Sequence, residues 1–210
     1  MPLQNRVTPS GLIIATSARG TFMGNRGRLH DEARRIVRTS AARAWLICRL
    51  EFKGRRREVM SPMAYTELFF LDEAVALAAG HRPCGECRRE SYRAYKAAAS
   101  VEKAHELDRL LDAARRAPRA SADVRALPDG VFVTLGDNDF RLLWGGVLHR
   151  WSPDGYHDPV PAEEFQRVPV VTPALSVAAL QSGYPVVVHP SLVNPRWATP
   201  AATRPAPRNP

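Results

Sequence analysis

Three cysteines place the strongest constraint on the fold of this chain. Two of them, Cys84 and Cys87, form a C-x-x-C motif in the segment Pro-Cys-Gly-Glu-Cys, and the third is Cys48. Thiolates at this spacing on a tight turn can both reach one tetrahedral metal ion. A thioredoxin-like redox site is disfavoured, because the residues before the motif predict a helix rather than a strand. The sequence therefore predicts a zinc site with Cys48, Cys84 and Cys87 as ligands, and structural or incidental thiols are the alternative.

The fourth zinc ligand has to be a histidine or a carboxylate, because the chain contains no further cysteine. His30 follows a glycine-containing loop and lies in the same half of the chain as the cysteines. His81 is so close to Cys84 in sequence that both can share one ion only with strain. We therefore expect His30 to complete the site, and a hydrogen-bonded or exposed imidazole at this position is the alternative.

Positive charge is concentrated in one segment. The chain has 30 Lys and Arg against 21 Asp and Glu, a net charge of +9, and residues 1–60 contain the whole excess. Arginine predominates there, and its guanidinium suits bidentate contact with phosphate, so nucleic acid is the natural partner. A solvated basic face in an arginine-rich proteome is the alternative. The predicted nucleic-acid contacts are Arg26, Arg28, Arg55, Arg56 and Arg57.

The pattern of elements predicts an α+β protein. We expect a zinc-binding module over residues 1–117, with a β-hairpin that turns at 53–57 and helices at 71–79, 86–99 and 101–116. A β-rich module containing a β-meander is expected over residues 121–192, and a disordered tail over 193–210. No apolar run approaches the roughly 20 residues that span a bilayer, and the first ten residues do not look like a signal peptide. We therefore expect a soluble, cytoplasmic protein with no membrane contact.

A family resemblance covers residues 48–89. The run E-A-V-A-L-A-A-G-H-R-P-C-G-E-C-R at 73–88, preceded by T-E-L-F-F at 66–70, resembles the metal-binding domain of the Ada DNA-repair protein. The resemblance implies that a strand and an alanine-rich helix deliver a G-x-R-P-C-x-x-C knuckle to zinc. In that family one zinc-bound cysteine accepts a methyl group from a DNA phosphotriester. The resemblance thus implies a zinc-binding, DNA-associated protein with a link to repair, and leaves open whether it is an enzyme.

The chain departs from the Ada pattern in its cysteines. The family has a second, closely spaced cysteine pair before the helix, whereas only Cys48 precedes it here. A site of three cysteines and one histidine is therefore needed. DNA is preferred to RNA as the partner on the strength of the resemblance alone.

A zinc-dependent deaminase is the alternative function. His30 and Glu32, followed by Pro83, Cys84 and Cys87, satisfy the signature H-x-E…P-C-x-x-C, in which the glutamate moves protons and zinc activates water. The long gap between Glu32 and Pro83 and the helix before Pro83 depart from that family. An exposed Glu32 that pairs with a nearby arginine is the simpler interpretation.

Overall fold

The computed structural model describes residues 1–54 and 58–192 and has an α+β fold. Within these ranges the strands form a six-stranded sheet, a four-stranded sheet and a two-stranded ribbon. The first sheet consists of β1 (Gln4–Val7), β2 (Ile13–Ala15), β3 (Phe22–Asn25), β4 (Leu46–Cys48), β5 (Leu68–Phe70) and β6 (Arg82–Pro83). The remaining strands are β7 (Ser121–Asp123), β8 (Phe132–Thr134), β9 (Phe140–Trp144), β10 (Val147–Ser152), β11 (Gly155–Pro161) and β12 (Arg167–Pro169).

The first three helices occupy the regions in which the sequence predicts them, and a fourth lies in the second half of the chain. They are α1 (Glu73–Ala78), α2 (Arg89–Ala98), α3 (Ala104–Arg116) and α4 (Ala174–Gln181). The side chain of Asp72 caps α1 by accepting a hydrogen bond from the Val75 amide, which is the standard function of an aspartate at this position. None of the helices in the described part of the chain has the length and apolar character needed to cross a membrane.

Parallel pairing within the six-stranded sheet positions the cysteines. The strand order is β2-β1-β5-β3-β4-β6, and β4 pairs in parallel with β6, so that Ile47 lies opposite Pro83. The Cys84 amide continues this ladder by donating to the Ile47 carbonyl over 2.9 Å. Two segments that are far apart in sequence are thus aligned with Cys48 and Cys84 at the same end.

The predicted hairpin at residues 44–60 is not formed as expected. β4 pairs with β3 and β6, and the segment 58–60, predicted as a return strand, contains a turn in which Met60 has φ +56°. A connected antiparallel pair is formed instead by β1 and β2. The predicted turn residues Arg55, Arg56 and Arg57 lie outside the described residues, as does the tail predicted at 193–210.

The second half of the chain contains the predicted β-meander, formed by β8, β9, β10 and β11 in consecutive antiparallel order. One apolar cluster includes residues from both sides of the predicted boundary near residue 120, such as Leu77 and Leu142. Buried hydrogen bonds also cross that boundary: the Tyr95 hydroxyl lies 2.8 Å from Ser176 Oγ. The predicted modules therefore pack against each other in this structure.

Candidate metal centre

The three cysteines lie together. Cys48 ends β4, Cys84 directly follows β6, and Cys87 lies two residues before α2. Their sulfur atoms are all within 4.8 Å of one another, and the residues are 8%, 9% and 8% exposed. A tetrahedral zinc ion with Zn–S bonds of about 2.3 Å requires sulfurs separated by about 3.8 Å. Only small side-chain adjustments are therefore needed for these thiolates to bind one ion.

Backbone amides contribute to the site. The Glu86 amide donates to Cys84 Sγ over 3.4 Å, and the Arg49 amide hydrogen-bonds to the sulfur of Cys87. Such bonds stabilise the charged form of a sulfur, because they favour thiolate over thiol. The residue after Cys48 and the turn after Cys84 therefore both present backbone N–H groups to the sulfurs.

The thiols differ in how readily they lose a proton. Hydrogen bonds from the Cys48 and Cys87 thiols, followed by those from backbone amides, hold the pKa of Cys84 well below its ordinary value. The pKa of Cys48 is raised, because its thiol hydrogen-bonds to Cys84 and Cys87 and because it is buried. A bound cation would favour loss of the proton from all three thiols.

A cavity of about 670 Å³ borders all three cysteines. Three apolar side chains pack against the cluster: Met23, Leu46 and Phe52. Asn25 and Arg49 are among the polar residues that line the cavity. A larger cavity of about 980 Å³ lies near β12 and contains none of the predicted site residues in its lining.

His30 is not part of the cysteine cluster. Its Nδ1 lies 2.6 Å from Thr66 Oγ1 and its Nε2 lies 3.2 Å from the Ser61 carbonyl. Both ring nitrogens are therefore in hydrogen bonds, and the imidazole is buried. The structure brings together three of the four predicted ligands and leaves out His30.

The arrangement that a zinc deaminase requires is absent from the described residues. Its signature needs a histidine on the metal with a glutamate beside it. Here His30 faces Thr66 and Ser61, Glu32 is exposed, and the third cluster member is Cys48.

Arg26 is completely buried, which corrects its prediction as a nucleic-acid contact. Its guanidinium lies 3.8 Å from the centre of the Trp45 ring, and Nε donates to His81 Nε2 over 3.1 Å. Burial, together with the nearby charge of Arg115, lowers the pKa of Arg26 to about 9. A buried guanidinium cannot reach a phosphate, whereas Arg28 is exposed as predicted.

Sequence reasoning missed the buried acids behind the cluster. Asp72 and Glu73 are both 0% exposed, and Glu73 forms an ion pair with Arg88, the residue after Cys87. Burial raises the pKa of Asp72 to about 6 although it accepts a hydrogen bond from the Tyr156 hydroxyl. Asp72 caps α1 and Glu73 is its first residue, and only the apolar residues that follow them indicate from the sequence that this segment is buried.

In comparisons with known proteins, no protein-family model matches the chain, and no curated protein and no solved structure is significantly similar to it.

Proposed function

We propose that this chain is a zinc-binding protein in which Cys48, Cys84 and Cys87 hold one zinc ion. The observation that carries the proposal is the grouping of the three sulfurs within 4.8 Å of one another. Thiolates are soft ligands, which favour zinc over magnesium or calcium. The resemblance to the Ada metal-binding domain supports the same metal.

The ion would connect elements that are distant in the sequence. Cys48 belongs to β4, Cys84 follows β6, and Cys87 precedes α2. A metal held by all three links two neighbouring strands to the start of a helix, and its binding energy then contributes to folding. Structural stabilisation is therefore the first effect of the metal in this proposal.

We further propose that the protein associates with nucleic acid through its N-terminal segment. Several cationic side chains there are exposed, and in the described residues no carboxylate lies within ion-pair distance of them: Arg19, Arg28, Arg38, Arg49 and Lys53. Contact between such side chains and phosphates releases counterions, which provides affinity without base specificity. The Ada resemblance is the ground for DNA as the partner and for a link to DNA repair.

Metal content separates the metal proposal from its alternatives. The full chain, purified without chelators, should contain close to one zinc ion, and Cys84→Ser should retain less than a tenth of it. His30→Ala is the matched control and should retain the metal, because this imidazole is bonded to Thr66 and Ser61. Absence of zinc from the wild-type chain, or equal zinc in Cys84→Ser, would refute the proposal.

A further inference from the structure

The cysteine cluster offers a metal ion three protein ligands, and a tetrahedral ion takes four. Among the described residues, no histidine, aspartate or glutamate joins the group formed by the cysteines. Met23, Leu46 and Phe52 pack against the sulfurs instead, and the cavity of about 670 Å³ borders each cysteine. Zinc bound by three protein ligands leaves a fourth position for an external ligand.

We propose that this fourth position binds the sulfur of a small thiol that has an aromatic or aliphatic body. The inference rests on the proposed function, because it needs a metal ion on the three cysteines. It adds the chemical class of the ligand that approaches the ion from the cavity.

The donor set favours sulfur over oxygen. Three thiolates already place a net negative charge on a zinc centre, which weakens its attraction for hard ligands such as carboxylate or phosphate and matches it to a soft donor. An oxygen ligand beside the cluster also needs hydrogen-bond donors, since a buried polar group without a partner is costly. Met23, Leu46 and Phe52, which pack against the cluster, offer no such donor, and the nearby amides of Glu86 and Arg49 already donate to the sulfurs.

Part of the cavity wall fits an apolar body. Leu50, Val59 and Phe69 line it beyond the cluster, and the polar residues Asn25, Arg49, Glu51, Tyr65, Glu67 and Glu86 form the rest of its lining. A volume of about 670 Å³ is within the range of about 300–1,000 Å³ that is usual for small-molecule sites. A ring or short aliphatic chain can therefore occupy the cavity while its sulfur points to the cysteines.

Binding is an acid–base step without electron transfer. The S–H bond of the thiol breaks, its proton goes to the solvent, and the sulfur lone pair fills the fourth coordination position. A thiol that coordinates zinc is deprotonated, which makes it a better nucleophile than the free thiol at neutral pH. No oxidant or reductant is required.

Cobalt substitution tests the inference with a spectroscopic readout. The metal-free full chain is loaded with Co²⁺ and titrated with phenylmethanethiol, phenylmethanol or phenylacetate, which share a ring and differ in the donor. The thiol should raise the sulfur-to-cobalt charge-transfer absorption by about one third, as three Co–S bonds become four. The alcohol and the carboxylate should leave that absorption unchanged, and Cys84→Ser controls for complexes formed off the site.

Variants at the cavity provide a second readout. Leu50→Trp places a larger side chain at a position that is 50% exposed and lines the cavity, so thiol affinity should fall roughly tenfold with the cobalt spectrum intact. Leu12→Trp, at a position that is 59% exposed and outside this cavity, is the matched control and should leave affinity unchanged.

The outcomes are distinguishable. Charge-transfer bands that do not respond to the thiol, or that respond equally to phenylacetate, overturn the ligand inference and leave the metal proposal standing. Absence of charge-transfer bands after cobalt addition overturns the metal proposal and the inference with it.

Discussion

Arg88 and Glu73 form a buried ion pair in which Arg88 Nη1 donates to Glu73 Oε1 over 2.6 Å. Their side chains are 6% and 0% exposed. The same carboxylate accepts hydrogen bonds from the Tyr184 hydroxyl over 2.6 Å and from the Val187 amide over 3.1 Å. Because Arg88 directly follows Cys87, this network joins the cysteine turn to the segment near residue 187.

Removal of Arg88 should destabilise the protein strongly. Arg88→Ala leaves the Glu73 carboxylate buried without its cation, and such changes cost about 3–5 kcal/mol. Urea unfolding at neutral pH with zinc present measures the loss. Arg89→Ala, at the exposed neighbouring position, is the control and should change the free energy of unfolding by less than about 0.5 kcal/mol. An equal loss of unfolding free energy in the two variants would contradict the expected contribution of the ion pair.

Asp72 should make stability depend on pH in the acidic range. Burial raises its pKa from 3.8 to about 6 in the folded protein, so folded chains bind this proton more tightly than unfolded ones. The free energy of unfolding should therefore fall as pH rises from about 4 to about 6, by up to about 3 kcal/mol from this residue. Because Asp72→Asn cannot titrate, the wild-type minus variant difference isolates the effect.

That difference should be largest at pH 4 and smallest above pH 6. Asp72→Asn is expected to be less stable at every pH, because an amide cannot accept all three hydrogen bonds from Val75, Tyr156 and His189. A difference that is constant with pH, or that grows as pH rises, would contradict the assignment of a raised pKa to Asp72.

The exposed arginines of the first segment should govern the salt dependence of DNA binding. Changing Arg28 and Arg38 to alanine should reduce the slope of log affinity against log salt by up to about 2, since each phosphate contact contributes about 0.9. The loss of affinity should be similar for DNA of any base sequence, because phosphate contacts do not distinguish bases. A fluorescence titration of a labelled duplex at several salt concentrations measures both quantities.

Two exposed arginines outside the segment provide the control for that titration. Arg93 lies on α2 and Arg109 on α3, so their double alanine variant removes the same charge elsewhere. An unchanged slope in the first variant, equal slopes in both, or no association at low salt would refute the proposed nucleic-acid surface.

The cysteine cluster could be predicted because two of its three members are close together in the sequence. A C-x-x-C spacing determines by itself how Cys84 and Cys87 share a turn, and Cys48 was the only other thiol. His30 was not predictable in the same way. Its surroundings are Thr66 and Ser61, which are 36 and 31 residues away, and nothing in the neighbouring sequence specifies them.

The fold class and the helices followed from composition and periodicity, whereas β3 was missed for a physical reason. The glycine-containing loop that the sequence predicts before His30 includes Gly24 and Asn25, but in the structure both are in β3. A Cβ atom at Gly24 would lie 2.3 Å from a ring atom of Phe70, so glycine is needed for close packing rather than for a turn. The burial of Arg26 could not be predicted from the sequence either, because its stacking on Trp45 depends on tertiary structure alone.

X-ray absorption at the zinc edge of the purified full chain tests the central claim most directly. Three cysteines on one ion predict three sulfur neighbours at about 2.3 Å and one lighter neighbour when no thiol is added. Cys48→Ser should reduce the sulfur count to two or abolish zinc binding. A wild-type spectrum with only nitrogen and oxygen neighbours, or with two sulfurs and two imidazoles, would contradict the claim.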